Sequence, residues 1–152
     1  MGARSAYLAD RLLGIVLDDP KIMLALIGKA GLVEKFSLFQ IAKDPDLVKN
    51  TVKAHLQHVT YHDVEKVEKL YGAAFKSGLY DEDTRAYFLE KAEIRHHFVH
   101  RNGRDKEGNF VPISITEVIA FGQMVVQLIE VCEEKYRKYR EDRYPSGLMP
   151  VE

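Results

Sequence analysis

Apolar positions recur along this chain at spacings of three and four, the repeat of one helical face, and helix start and stop signals separate the segments. Ser5 can cap a first helix through about Leu17, and Asp19-Pro20 supplies an N-cap followed by proline at the first helical position, for a second helix through about Lys29. A short apolar-periodic piece, Leu32 to Ala42, leads to Asp44-Pro45, a second cap-plus-proline start for a helix through about His58. Thr60 followed by Asp63 resembles a capping box with a shorter acid. From Tyr61 onward Val64, Val67, Leu70, Tyr71 and Ala74 mark an amphipathic helix that Lys76-Ser77-Gly78 closes.

Asp81-Glu82-Asp83 opens the next helix, which runs to about Arg101 with acids early and Arg and His late, as the helix dipole favours. Asn102-Gly103 stops it, because both residues tolerate positive φ. A glycine-bearing loop through Pro112 then leads to Ser114-Ile115-Thr116-Glu117, a capping box for the last helix. Its expected buried stripe is Val118, Phe121, Val125, Leu128, Cys132 and Tyr136. Pro145 to Pro150 cannot continue a helix, so 145–152 reads as a tail or a truncated linker. Strand signals are nearly absent, and the expected class is all-α.

Composition narrows this picture only slightly. At 152 residues, 46% hydrophobic and 30% charged, the chain is most simply one soluble domain over 1–144. A formal charge of −1 gives no global pull toward nucleic acid or an anionic membrane, so any polyanion must be held by a local basic cluster or by oligomerisation. The single cysteine, Cys132, excludes an intramolecular disulfide framework and points to a reducing, cytoplasmic setting. The runs Leu12 to Leu17 and Ile22 to Ile27 are too short to span a bilayer, and neither a signal peptide nor a membrane anchor is expected.

Candidate chemistry concentrates in Arg95-His96-His97-Phe98-Val99-His100-Arg101-Asn102-Gly103, which holds three of the six histidines at a helix end. On a wheel of about 100° per residue, Tyr87, Phe88, Ala92, Ile94, Phe98 and Val99 form one apolar arc, and Arg95 falls inside it. A guanidinium on that arc calls for a partner, either an internal carboxylate such as Glu65 or Glu68 or something outside the chain. His96 and His100, four residues apart, share the shoulder of the arc. His97 projects with Glu90 and Glu93 toward the polar side, where solvent is expected.

At these residues the chain resembles the HEPN superfamily, small helical domains many of which are ribonucleases with an Arg-polar-x3-His motif. Arg95, His96 and His100 supply that pattern here, and His100-Arg101-Asn102-Gly103 with the Arg104 to Gly108 loop is similar to the branch carrying Val-His-Arg-Asn-Gly. The likeness is best over 50–144, and 1–49 add little to it. It implies an antiparallel helical bundle with a composite site at a homodimer interface, acting as a metal-independent endoribonuclease in a toxin or defence setting. It also implies an RNA substrate, no cofactor, and a neutralising antitoxin or an associated defence protein as possible partners. The resemblance would make His100 the proton-transfer group, Arg95 the stabiliser of phosphoryl charge and His96 an assistant. Lys91, Arg101, Asn102, Arg104 and Lys106 would line the RNA path, and a solvated charged face explains the four basic residues equally well. The tyrosine two residues after the histidine, through which some such toxins are silenced by nucleotidylation, is replaced by Asn102.

Two rival readings follow from the same residues. A non-catalytic binding or dimerisation module would use Arg95 and His100 to hold structure together or to grip a nucleotide phosphate. A zinc pair would use the i, i+4 spacing of His96 and His100, but His97 stands where a metalloprotease motif needs glutamate, and only His55, His58 or His62 offers a distant third ligand. The glycines of the 103–108 loop follow no strand and form no phosphate-binding fingerprint.

Overall fold

The structure is a computed structural model that describes residues 2–32 and 34–145, so the expected tail lies, from 146 onward, outside the described residues. Among the described residues there are seven helices and no strand, as the all-α expectation required. The chain divides into two compact units, 1–78 and 79–152.

The first unit contains α1 (Ala3–Asp18), α2 (Pro20–Ala30), α3 (Leu38–Lys43), α4 (Leu47–Gln57) and α5 (Val64–Phe75). Asp19 caps α2 through bonds from the backbone N–H groups of Lys21 and Ile22, with Pro20 at the first helical position, so this start forms as its two-residue signal dictates. α1 packs on α2 and α4, and α2 packs on α5. Their inward faces bury Leu8, Leu12, Ile15, Ile22, Leu26, Val52, Leu56, Val67 and Tyr71. The Tyr71 hydroxyl donates to the Leu8 carbonyl at 2.8 Å across this core. Tyr71→Phe should therefore lower the unfolding free energy by about 1 kcal/mol, the usual net worth of one such bond, measured by urea denaturation. A variant as stable as the parent would show that the bond adds nothing.

Three expected starts differ. Ser5 does not cap α1, which begins at Ala3 with Gly2 at its N-cap and carries Ser5 buried inside its first turn. Asp44-Pro45 does not open α4: the Asp44 carboxylate accepts from Asp46 N–H, making a turn through Pro45 that delays the helix to Leu47. Thr60 and Asp63 form no capping box, because Asp63 is itself the N-cap, accepting from Glu65 and Lys66 N–H.

The second unit holds α6 (Glu82–Arg101) and α7 (Ile115–Arg143). Asp81 caps α6 through Thr84 N–H, and this bond holds the Asp81 carboxyl below its ordinary pKa. Ser114 and Glu117 form the expected reciprocal capping box of α7. Phe88 is the buried centre of the unit, with the rings of Tyr80, Tyr87 and Phe121 at 5.6 to 5.9 Å. The expected stripe of α7 is only partly inside. Leu128 and Cys132 are buried and Phe121, Val125 and Tyr136 half-buried, whereas Val118 is 55% exposed. By length and composition α7 could cross a membrane, since an 18-residue window has mean hydropathy 1.6 with 11% of it buried.

Candidate functional site at the end of α6

The antiparallel contact of α6 with α7 decides which part of α6 is covered. Phe88 meets Phe121, and Lys91 Nζ lies 4.0 Å from Glu117. Continuing that register puts Ile115, the first residue of α7, opposite the turn containing Ile94. The last two turns of α6, which carry Arg95, His96 and His100, extend beyond the start of α7.

Arg95 and Val99 do continue the face of Phe88, as the wheel reading holds, but nothing from α7 reaches them. Arg95 is exposed and makes no hydrogen bond or ion pair within its own unit among the described residues, and Val99 is 56% exposed. The arginine is thus a solvent-facing cation in the single chain, not a guanidinium turned into the chain's own core.

His96 and His100 are both exposed, and their ring centroids are 4.6 Å apart. The pKa of His96 is held below the ordinary imidazole value, first by desolvation of the ring and then by electrostatic interaction with His100, Arg101 and His97. The folded chain therefore takes up this proton less readily than the unfolded chain. Acidification through about pH 6.5, the ordinary imidazole value, should cost stability, and the loss should level off once His96 is charged in the folded state as well. His96→Asn should make the urea midpoint less sensitive between pH 7.5 and 5.0; an unaltered pH dependence would refute this role.

His97 behaves opposite to expectation. Only 8% of it is exposed, and Arg101 Nη1 lies 3.2 Å from its Nδ1. A guanidinium can only donate, so Nδ1 is the acceptor and Nε2 carries the proton. Its carbonyl also closes the helix, accepting from the N–H groups of Asn102 and Gly103. Asn102 at φ 50 and Gly103 at φ 76 occupy the left-handed region, and a Cβ on Gly103 would lie 3.1 Å from the Phe98 ring. His97 is the structural histidine of the three.

The loop that follows is closed on itself. Arg104 and Phe110 form an antiparallel bridge, Arg104 Nη1 donates to the Gly108 carbonyl at 2.7 Å, and its guanidinium lies 3.9 Å from the Phe110 ring centre. Asp105 accepts from the backbone and side-chain N–H groups of Asn109, bonds that hold its carboxyl below the ordinary range. Arg104, Asp105 and Asn109 are thus engaged in the turn itself.

Of the expected RNA-path residues, Lys106 is exposed, Asn102 caps the helix, and Arg101 and Arg104 are engaged with His97 and Gly108. Lys91 is held by Glu90 at 2.8 Å and lies over the Tyr87 ring. The role of His97 in positioning Arg101 and closing α6 escaped the wheel, although its place one turn before Asn102-Gly103 was a usable signal. Among the described residues no group of three or more His, Cys, Asp or Glu side chains gathers into a metal-binding set. No protein-family model matches the chain, and comparison with curated proteins and with solved structures found no similar one.

Proposed function

We propose that the chain is a metal-independent endoribonuclease of the HEPN kind, working on RNA as a homodimer in a toxin or defence setting. The observation that carries this reading is the exposed helix end on which two imidazoles pair at 4.6 Å beside an arginine with no internal carboxylate in its own unit. The likeness of Arg95 to Gly103 to the HEPN motif supports it. In this reading the 2′-hydroxyl of RNA attacks the adjacent phosphorus, the bond to the 5′-oxygen breaks, and a 2′,3′-cyclic phosphate and a 5′-hydroxyl result. His100 moves the proton, His96 assists and Arg95 stabilises charge on the phosphoryl oxygens. The guanidinium suits that task because it stays charged and matches phosphate geometry. A second copy of the α6 end would complete the cleft.

Incubation of the protein with single-stranded RNA in chelator should give fragments with those two end groups. Expression should arrest growth, and His100→Ala should relieve the arrest. An absence of cleavage at protein excess would instead favour the second reading, a non-catalytic dimerisation module, for which the exposed apolar residues of α7 speak.

A further inference from the structure

α7 has two apolar faces, only one of which is covered. Ile115, Ile119 and Val126, about 120° or more around the helix from Phe121 and Leu128, form with Val118, about 60° to 80° from them, a stripe in which Ile115, Val118, Ile119 and Val126 are 76, 55, 58 and 55% exposed. Gly122 lies in its middle, with nothing within 4 Å of the position a Cβ would take. A helix in water with a second, uncovered apolar face is a docking element.

The stripe reads almost the same in both directions from Gly122. Ile115 and Ile129 stand seven positions to either side, Val118 and Val126 four, and Ile119 and Val125 three, with Val125 and Ile129 half-buried at the edge of the covered face. An antiparallel two-fold contact sets each position against the one mirrored about the axis, and here apolar residues meet apolar residues on both sides of it. We infer that α7 pairs antiparallel with α7 of a second copy of this chain, crossing at Gly122 on the two-fold axis. Val118 then packs on the partner's Val126 and Ile115 on the partner's Ile129, while the missing side chain at the crossing lets the backbones approach.

Charge supports this occupant over a lipid surface. The stripe, 115–129, carries a single charged residue, Glu117, and the basic residues of α7 begin at Lys135, past its end and interleaved with Glu133, Glu134, Glu141 and Asp142, whereas helices that lie on anionic membranes carry basic residues beside the apolar face. In the antiparallel register Glu117 faces the partner's Gln127 and Glu130 faces the partner's Ser114, so no acid opposes an acid. From Ile115 to Ile129 the stripe runs about 21 Å at 1.5 Å per residue. Its pairing would bury on the order of 1,000 Å² in total, the threshold for a specific interface.

This contact is a different surface from the end of α6, which lies past the start of α7, and it stands whether or not the chain cleaves RNA. It goes beyond the proposed homodimer: an α7 pair crossing at Gly122 leaves its two α6 ends at least about 21 Å apart along the helix direction, so the cleft contact joins a different pair of copies and cleft and stripe can fail separately.

Cysteine placement tests the register, since buried Cys132 does not compete. Gly122→Cys in the full chain should be trapped as a covalent dimer by mild oxidation, its two copies facing across the axis. Ile115→Cys should not be trapped, its copies lying about 21 Å apart along the axis, but should crosslink when mixed with Ile129→Cys. Ile119→Lys should at least halve the sedimenting mass while helical content is kept. A monomeric parent, equal trapping at 115 and 122, an unchanged mass for Ile119→Lys, or binding to phosphatidylcholine vesicles without crosslinking would each overturn the inference. RNA cleavage measured on the same samples separates its failure from failure of the nuclease reading.

Discussion

His100→Ala should lower RNA cleavage by at least about 100-fold, the low end of what a positioned proton-transfer group contributes, while leaving the thermal midpoint within a degree or two. The imidazole is exposed and rests against His96, so its removal opens no cavity. Arg95→Ala should cost a similar or larger factor, because electrostatic stabilisation of the phosphoryl oxygens is the larger share in reactions of this type. His97 provides the contrast. Its replacement by alanine should act on stability, since the change removes a buried ring and the partner of Arg101 next to the helix stop. Initial rates and thermal melts on all three variants separate the roles. Full activity in His100→Ala would remove that residue from the reaction, and an unaltered melt in His97→Ala would contradict its structural role.

Phe88→Ala should lower the unfolding free energy by about 3 to 5 kcal/mol, the range for truncating a buried aromatic ring. Phe88 is 1% exposed and touches the rings of Tyr80, Tyr87 and Phe121, which tie the start of α6 to α7. Phe98, nearly three turns along, is 43% exposed and covers Gly103, so Phe98→Ala should cost much less. Urea denaturation of the two variants side by side gives the comparison. Equal losses would mean that the core of this unit does not centre on Phe88.

The helices were legible wherever local chemistry alone fixes an end. Asp19-Pro20, Ser114 with Glu117, and Asn102-Gly103 each form or close a helix through bonds made within a few residues. Asp44-Pro45 misled because the Asp44 carboxylate can satisfy the N–H of Asp46 in a turn as well as in a cap. The division of the three histidines misled for a different reason. A wheel assumes that one neighbour covers one face along the whole helix, whereas α7 begins level with Ile94. Beyond that turn the uncovered side carries Arg95 and Val99, and His97 is the residue taken out of solvent. The extent of a packing neighbour is a tertiary fact that periodicity within a single segment does not encode. The outward stripe of α7 was hidden similarly: Val118 matches the inner and the outer apolar series about equally, and only the structure assigns it to the outside.

One consequence follows from the way α6 is gripped. Near its start α6 is gripped by α7 through Phe88, whereas the bonds at its far end, from Arg101 to the His97 ring and from the Asn102 and Gly103 N–H groups to the His97 carbonyl, are made within the helix and its own cap. Such bonds keep the shape of a shaft and not its bearing. The spacing of Arg95, His96 and His100 is therefore set by the helix alone, and what reaches them is set by whatever covers this end.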